Sequence, residues 1–325
     1  MTASRSRSRA LRVALCGLGP IGVELGRAIV ERGRAVGDLR LAGAVDVAPG
    51  IAGRKLGEVV AGAPRGLAID GSLDALLRRG EIDALAICTS SRFAKVAPDL
   101  ATAIRRGVHV VSSCEELAAP CVDAAGFRRL DARARKAGVT VLGTGVNPGF
   151  VMDRLVLSLA GACVSVARVE VERVVDAAKR RAPLRKKVGE GLSAAEFRAG
   201  VRAGRIGHVG LRESATLIAR GLGWKIDRYQ ERIEPELGED GRCRGLRQLA
   251  RATVQGEVRI TLRLAMFVGA PDPHDRLMVV GDPSLDVLVA GGTQGDRGTI
   301  GALLGGLHRL SRAPRGLVTV ADLFC

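Results

Sequence analysis

A glycine-rich turn between an apolar segment and an amphipathic segment constrains the fold of this chain more than any other feature. The turn Gly17-Leu18-Gly19-Pro20-Ile21-Gly22 follows the apolar run Leu11–Cys16, a predicted buried strand, and opens Ile21–Arg32, a predicted helix. In such a G-x-G-x-x-G unit, the first glycine permits the tight turn and the second lets the backbone approach a pyrophosphate. The third lets helix and strand pack closely. Because helix N-termini bind phosphate, this context predicts a dinucleotide site rather than an ordinary glycine turn.

The first half of the chain alternates strand-like and helix-like segments. Strands of Val, Ile, Leu and Ala separated by helices are typical of a parallel sheet that is covered on both faces. The sequence therefore predicts an α/β fold, a Rossmann doubly wound parallel sheet. Further predicted strands are Leu39–Asp46, Leu67–Asp70, Ile82–Thr89, Val108–Ser112 and Val139–Leu142, and further helices are capped by Ser72 or cover Phe93–Arg106 and Val122–Ala137.

The pattern changes after Gly149. Runs of alternating apolar and polar residues indicate half-exposed strands, the first of them antiparallel, and two helical segments lie among them. This combination of strands and helices predicts a second, α+β domain built on an open mixed sheet. The strand segments are Val164–Val175, Gly256–Val268 and Leu277–Val280, and the helical segments are Ser193–Ala203 and Glu213–Leu222.

These patterns divide the chain into three parts. Residues 1–10 are predicted to be a disordered, Ser/Arg-rich basic tail. Residues 11–150 are predicted to form the dinucleotide-binding domain, with a C-terminal helix from about 295–325 packing back on it. Residues 151–294 form the predicted second domain.

Composition excludes several classes of function. The net charge is +16, but the basic residues are spread along the chain and aromatic residues are only 2% of it, so we expect no nucleic-acid partner. We find no apolar stretch long enough to cross a bilayer and expect no membrane association. Seven cysteines without a Cys-x-x-Cys pair indicate a cytoplasmic location. The four histidines are far apart, and we predict no metal site.

Asp46 is the predicted partner of the adenosine ribose. It ends the second strand, some twenty residues after the glycine turn, where a carboxylate binds the ribose hydroxyls of NAD. A helix cap or turn role is the alternative for Asp46. Arg54 and Lys55 follow closely and could accommodate a 2′-phosphate, so the predicted cofactor is NAD(H) or NADP(H). The predicted cofactor contacts are Gly17, Gly19, Pro20, Ile21, Gly22, Asp46, Thr89, Ser90, Ser91, Cys114 and Asn147.

Adjacent carboxylates after the fifth strand are the main candidates for catalysis. Glu115 or Glu116 could act as a general base or stabilise a developing cation beside the nicotinamide. Alternatively, both acids complement a helix dipole. His208 is a candidate substrate residue or a structural histidine. The basic segments 179–181 and 185–187 could bind an anion or form a solvated loop. The predicted substrate contacts are Thr144, Pro148, Phe150, Met152, Arg173 and His208.

A series of short motifs resembles the dihydrodipicolinate-reductase-like group, and within it the 2,4-diaminopentanoate dehydrogenases and related native amine dehydrogenases. The resemblance implies a second domain that closes over the substrate and forms a homodimer. It also implies NAD(P)-dependent conversion of a primary amine to a ketone and ammonia, or the reverse, with Glu115 or Glu116 activating the amine. The motifs are Gly17–Gly22, Ala44–Asp46, Ser113–Leu117, Gly143–Phe150 with Asp153, Pro183 with Lys186-Lys187, Gly207–Leu211 with Glu213-Ser214, Leu222–Trp224 and Gly291–Asp296.

Two positions depart from the family pattern. Ala119 stands where the pattern has Tyr, and Arg185 where it has Gln before the lysine pair. Both departures concern the substrate pocket more than the reaction. An imine or carbonyl reductase on the same scaffold and a non-catalytic NAD(P)-binding sensor are the alternative functions, because fold alone does not fix function.

Overall fold

The computed structural model describes residues 9–179 and 182–324, so most of the predicted tail and Arg180-Arg181 of the predicted basic segment lie outside the described residues. The chain folds into two units. The first comprises residues up to Gly145 together with Asp296–Thr319, and the second comprises Val146–Gly295 together with the residues from Val320.

The first unit contains a seven-stranded, wholly parallel sheet with the strand order β13-β6-β5-β4-β1-β2-β3. Its strands are β1 (Leu11–Cys16), β2 (Leu39–Val45), β3 (Ile69–Asp70), β4 (Ala84–Ile87), β5 (His109–Ser112), β6 (Thr140–Gly143) and β13 (Gly316–Val318). Its helices are α1 (Pro20–Ala35), α2 (Leu73–Arg78), α3 (Phe93–Arg105), α4 (Ala124–Lys136) and α9 (Gly295–Arg309), of which α9 has its first residue in the second unit.

Burial explains why the strands of this sheet are continuous apolar runs in the amino-acid sequence. All four residues of β4 are inaccessible to solvent, and Val13, Ala14 and Leu15 of β1 are too. Strands that are covered on both faces need apolar side chains at successive positions rather than at alternate ones. The predicted Rossmann fold class is confirmed, and the observed ends of the predicted strands and helices differ by a few residues from the prediction.

The second unit contains a six-stranded mixed sheet with the strand order β12-β11-β7-β10-β9-β8. Only the central pair, β7 and β10, is parallel. The strands are β7 (Ser165–Asp176), β8 (Arg228–Leu237), β9 (Cys243–Val254), β10 (Glu257–Phe267), β11 (His274–Asp282) and β12 (Leu285–Ala290). The helices are α5 (Arg154–Ala160), α6 (Ala182–Lys187), α7 (Ala194–Arg202), α8 (Leu211–Gly221) and α10 (Val320–Phe324).

Several elements of the second unit differ from the prediction. The prediction that Val164–Val175 is an antiparallel strand is wrong on one side, because β7 pairs in parallel with β10 and antiparallel only with β11. Sequence patterns did not predict β8, β9, β12 or α5. Strand β8 lies at the sheet edge and is exposed at most positions, and Glu231 and Pro235 interrupt the apolar face formed by Tyr229, Ile233 and Leu237, which weakens the period of two.

The C-terminal region divides between the units. Helix α9, apart from its first residue, belongs to the first unit with β13, whereas α10 belongs to the second. The sequence placed the whole of 295–325 with the dinucleotide-binding domain. Among the helices of the described residues, none is long and apolar enough to span a bilayer.

Candidate active site

The glycine turn of the first unit requires glycine at its first and third motif positions. Gly17 has a φ of +91°, and its N–H donates to the carbonyl oxygen of Val45 at 2.9 Å. A Cβ on Gly22 would lie 1.9 Å from the carbonyl oxygen of Gly17. No side chain fits at that distance. The turn and the start of α1 therefore lie as close together as the G-x-G-x-x-G motif requires.

The second motif glycine leaves room for a ligand. Gly19 is the N-cap of the 16-residue helix α1, and no side chain among the described residues caps it. No described atom outside its immediate neighbours lies within 4 Å of a Cβ built on Gly19. Pro20 and Ile21 begin the helix, whose first turn contains no acidic side chain. An uncapped helix N-terminus with open space beside it fits the pyrophosphate of a dinucleotide.

Asp46 lies beside this turn at the end of β2. Its Oδ2 accepts a hydrogen bond from the N–H of Leu18 at 2.6 Å, and its Oδ1 accepts one from Ala48 at 2.8 Å. A carboxylate has about four lone-pair positions, so both oxygens retain capacity for ribose hydroxyls. Arg54, a candidate for a 2′-phosphate, is exposed, and its Nε lies 3.0 Å from Glu58.

The loop after β4 lies against the same turn. A Cβ on Gly17 would lie 2.7 Å from Cγ2 of Thr89, so the two loops are in close contact. Ser90 accepts a hydrogen bond from the N–H of Arg92 at 3.1 Å. The carbonyl oxygen of Ser91 accepts a hydrogen bond from the backbone N–H of Glu116 at 3.2 Å. The predicted cofactor contacts of the first unit therefore come together at the carboxyl ends of β1, β2, β4 and β5.

The side chains of the two adjacent glutamates have different surroundings in the structure. Both lie in a 3₁₀ turn, Glu115–Leu117. The Glu116 side chain is only 8% exposed, and its oxygens accept hydrogen bonds from Arg92 Nη1 and from the N–H of Phe93, each at 2.7 Å. Glu116 therefore holds the N-terminus of α3, since Phe93 is the first residue of that helix. Glu115 is half-buried and retains access to solvent.

Burial sets the chemistry of the thiols in this region. Burial raises the pKa of the Cys114 thiol to about 12, and it raises that of Cys88 to about 12 as well. Cys114 is the N-cap of the 3₁₀ turn and is inaccessible to solvent. Both thiols stay protonated near neutral pH and act as small apolar groups.

Thr144 follows β6 and is 2% exposed. Its N–H donates to the carbonyl oxygen of Ser112 at 2.9 Å, which extends the sheet pairing by one residue. Among the described residues, none forms a hydrogen bond with its buried Oγ1. A buried hydroxyl without a protein partner is free to bind a ligand group at this end of the sheet.

In the second unit, four predicted site residues lie close together. The amide nitrogen of Asn147 lies 3.2 Å from Nε2 of His208 and 3.0 Å from the sulfur of Met152. Met152 is fully buried in the core of this unit. Pro148 lies against Gly210, in the loop that carries His208, because a Cβ on Gly210 would be 2.6 Å from Cδ of Pro148.

Phe150 packs against the core of the second unit, and Arg173 forms a buried ion pair. Phe150 is partly buried against the core, with the guanidinium of Arg154 4.8 Å from its ring centre. Arg173 is 3% exposed and forms an ion pair with Asp275 at 2.8 Å. Arg173 also donates to the carbonyl oxygen of Thr293 at 2.6 Å. These contacts anchor the loop before α9 to the sheet.

Several buried polar residues of the second unit were assigned no role from the sequence. Asp153, Ser214, Gln248 and Asp275 are each at most 2% exposed and are held by hydrogen bonds. Two of them, Asp153 and Ser214, occur in the family motifs, which was the only signal that pointed to them. Within residues 9–179 and 182–324, no group of three or more His, Cys, Asp or Glu side chains could hold a metal ion.

Comparisons with known proteins support the family assignment. Residues 150–325 match the family model described as the 2,4-diaminopentanoate dehydrogenase C-terminal domain. The chain is 27% identical over 273 residues to the 2,4-diaminopentanoate dehydrogenase of Acetoanaerobium sticklandii, which covers 78% of this chain and 77% of the relative.

Solved structures share the fold. An amine dehydrogenase from Mycobacterium smegmatis superposes with a TM-score of 0.81 at 20% identity, over 96% of each chain. A dihydrodipicolinate reductase from Paenisporosarcina, solved with dipicolinate bound, gives a TM-score of 0.54 at 14% identity, over 96% of this chain and 99% of that one. These likenesses confirm the predicted fold class. Because the family model covers more than half of the sequence, the chain belongs to the 2,4-diaminopentanoate dehydrogenase family of oxidoreductases.

Proposed function

We propose that this chain is an NAD(P)-dependent amine dehydrogenase. It oxidises a primary amine to a ketone and ammonia, and in reverse it aminates a ketone reductively. Family membership and the likeness to the curated relative support this reaction class. The observation that carries the proposal is the division of roles between the adjacent glutamates. Glu116 has both oxygens bonded at the N-terminus of α3, whereas Glu115 is half-buried with access to solvent. We therefore assign proton transfer to Glu115.

The cofactor is a nicotinamide dinucleotide. Its pyrophosphate binds at Gly19 and the N-terminus of α1, and its adenosine ribose binds at Asp46. We propose a preference for NAD, because the negative charge of Asp46 repels a 2′-phosphate. Arg54 and Lys55 are exposed and near in sequence, which provides the alternative of NADP.

The chemistry assigned to Glu115 is acid–base catalysis. The nicotinamide, when bound, accepts hydride from the carbon that bears the amine. Glu115 first removes a proton from the substrate ammonium, which leaves the neutral amine that can lose hydride. The carboxyl group of Glu115 then releases this proton to solvent, and the carboxylate stabilises the iminium cation of the substrate. The carboxylate next takes a proton from the water that adds to the iminium carbon and passes that proton to the departing nitrogen. Substrate ammonium, water and oxidised cofactor thus yield ketone, ammonium, reduced cofactor and one proton.

Two polar side chains are proposed as substrate contacts. The hydroxyl of Thr144 is available to a polar group of the substrate or cofactor. The imidazole of His208 supplies a further contact. Ala119 and Arg185 differ from the family pattern, so we propose a primary amine other than 2,4-diaminopentanoate as the preferred substrate. The predicted cytoplasmic location stays a prediction.

A cofactor-oxidation screen tests the proposal. Purified protein is mixed with NADH or NADPH, ammonium chloride and a panel of small ketones that includes 2-amino-4-oxopentanoate, and absorbance of the reduced cofactor is followed. We expect oxidation that requires both ketone and ammonium. The matched control replaces ammonium chloride with sodium chloride at equal ionic strength. Oxidation in the sodium control would identify a carbonyl or imine reductase instead, and cofactor binding without turnover would identify a sensor.

We also propose that the chain is a homodimer formed through the second unit. Helices α5, α7 and α8 cover one face of the mixed sheet. The opposite face carries exposed residues of both signs, such as Arg263 with Glu170 at 3.0 Å and Arg276 with Asp286. Leu288, opposite Arg276 in the register, is 60% exposed. A surface with apolar groups and both charges can complement a second copy of itself.

Sedimentation velocity tests the dimer. The wild type is expected to sediment as a dimer and Leu288→Asp to dissociate, because the substitution replaces an apolar contact of the interface with a charge that loses hydration there. Val47→Asp is the control, since Val47 is an 83% exposed apolar residue of the first unit. A monomeric wild type, or equal effects of the two variants, would contradict this interface.

A further inference from the structure

The turn that carries Glu115 is buried on both sides of that residue. Cys114 and Ala118 are inaccessible to solvent, and Leu117 is 2% exposed. Leu117 packs in the core cluster to which α3 and α4 contribute. Glu115 is the residue of this turn that reaches solvent. Because connecting segments usually lie on the surface, a turn buried this deeply is held by specific contacts with the sheet.

The hydroxyl of Ser112 fixes the start of the turn. Ser112 is the last residue of β5 and is inaccessible to solvent. Its hydroxyl donates to the carbonyl oxygen of Ile87 in β4 at 3.0 Å and accepts the N–H of Cys114 at 3.1 Å. Cys114 is the N-cap of the turn. A buried hydroxyl that both donates and accepts has a fixed orientation, so the start of the turn is tied to β4 as well as to β5.

The lack of a side chain at Gly143 fixes the end of the turn. Gly143 is the last residue of β6 and the partner of Ser112 in the parallel register. A Cβ on Gly143 would lie 2.5 Å from the carbonyl carbon of Leu117 and 2.7 Å from the nitrogen of Ala118. Ordinary van der Waals contact begins at 3.4 Å, so a methyl group here would force the strand or the turn to move by about 1 Å.

The strand is held by the sheet, so the turn is the part that would move. Strand β6 pairs with β5 on one side and with β13 on the other. Beyond its end, the N–H of Thr144 donates to the carbonyl oxygen of Ser112 at 2.9 Å. In the turn, the N–H of Ala118 donates to the carbonyl oxygen of Glu115 at 3.0 Å. A displacement of Ala118 is therefore passed directly to the main chain of Glu115.

We propose that Ser112 and Gly143 are positioning residues that hold the two ends of this turn and thereby place the Glu115 carboxylate for proton transfer. The two residues lie side by side on neighbouring strands, and each contacts one end of the turn. A general base must be within hydrogen-bond reach of the proton that it removes. The effect on turnover rests on the proposed amine dehydrogenase function, whereas the fixed turn follows from contacts of the first unit alone.

Hydrogen exchange followed by mass spectrometry tests the fixed turn without any turnover. The N–H groups of Cys114 and Ala118 are hydrogen-bonded in the wild type and are expected to exchange slowly. Ser112→Ala removes the acceptor of the first, and Gly143→Ala displaces the second. We expect exchange in residues 114–118 to be about 10-fold faster in each variant, the order expected for one lost hydrogen bond. Unchanged exchange in either variant would overturn the role of that residue.

Turnover measures the consequence for Glu115. Gly143→Ala is expected to lower kcat for the amine about 10²-fold, the order expected for a displacement of about 1 Å, with unchanged affinity for NADH. The matched control is Gly33→Ala in α1, whose Cβ would lie 2.5 Å from the carbonyl oxygen of Leu39 at the start of β2, the opposite end of the sheet. The control is expected to keep the wild-type kcat. Equal losses in the two variants would overturn the proposal.

Combination with Glu115→Gln shows whether the two residues act through Glu115. Once the proton acceptor is gone, Gly143→Ala and Ser112→Ala are each expected to lower kcat by less than about 2-fold further. Losses as large as in the wild-type background would overturn the proposal. If Gly143→Ala does not fold, Ser112→Ala gives the same comparison because it adds no atoms. A wild type inactive with every amine would refute the proposed function, and hydrogen exchange would still decide whether these residues fix the turn.

Discussion

The glycine turn of the first unit and the His208 network of the second hold polar groups in opposite ways. This network consists of Asp153, Ser214, Asn147 and His208, which are connected by side-chain hydrogen bonds. In the turn, residues within Gly17–Gly22 place main-chain N–H groups where a phosphate can bind, and no side chain has to be positioned. In the network, side chains as far apart in sequence as Asn147 and Ser214 meet in the core and order one another. Main-chain sites are therefore encoded locally, whereas side-chain networks are encoded by packing.

The adjacent glutamates provide the largest expected effect and the sharpest test of this contrast. Glu115→Gln removes the proposed proton acceptor and keeps the shape of the side chain. We expect kcat for the amine to fall about 10³-fold, which is within the usual range for a general base. Affinity for the cofactor, measured by NADH fluorescence, is expected to be unchanged because the glycine turn is intact.

Glu116→Gln is the matched control for this substitution. It weakens the contacts with Arg92 and the N-terminus of α3, so the free energy of unfolding is expected to fall by about 1 kcal/mol. Turnover of the folded protein is expected to stay within a few-fold of the wild type. Loss of turnover in Glu116→Gln with full activity in Glu115→Gln would reverse the assignment.

The two glutamates also show which part of the site could not be predicted from the sequence. The loop after β5 and its acidic pair could be located from strand patterns, but choosing between neighbours required the position of Phe93, more than twenty residues away. The same limit applies to Arg173, predicted as a substrate contact, whose partner Asp275 lies on a strand paired with its own. A carboxylate 102 residues away leaves no local signal.

Backbone geometry was more accessible to prediction. The first unit could be predicted in outline because buried parallel strands are apolar throughout and end in characteristic turns. The second unit was predicted less completely. Its edge strand β8 has Glu231 and Pro235 within its apolar face, and β9 places Gln248 among the apolar residues that face the helices. Both features obscure a strand pattern, and both are explained by contacts that only the folded chain provides.

Alanine at two motif glycines separates packing from binding within the turn. Gly22→Ala places a methyl group against the carbonyl oxygen of Gly17, and we expect the free energy of unfolding to fall by about 2 kcal/mol. Gly19→Ala meets no described atom and is expected to change stability by less than about 0.5 kcal/mol. Its methyl group occupies the space for the pyrophosphate, so NADH affinity is expected to fall at least about 10-fold.

Urea unfolding and NADH titration of both variants measure these effects. The informative variant is Gly19→Ala, because its two properties should differ. It should be as stable as the wild type and should bind NADH poorly. If Gly19→Ala binds NADH normally, the pyrophosphate does not lie at this helix N-terminus. The turn would then be a packing device like the network of the second unit, and the contrast between the two regions would disappear.

Asp46 is expected to affect cofactor selectivity rather than cofactor binding as such, because here a side chain adds selectivity to a site that the main chain has already built. Asp46→Asn removes the charge that repels a 2′-phosphate, and one amide oxygen remains for Leu18 or Ala48. We expect the ratio of NAD to NADP affinity to fall about 10-fold, equivalent to about 1.4 kcal/mol. Arg54→Gln is the companion variant. Lower NADP affinity in Arg54→Gln with an unchanged ratio in Asp46→Asn would show that a cation, and not the carboxylate, selects the cofactor.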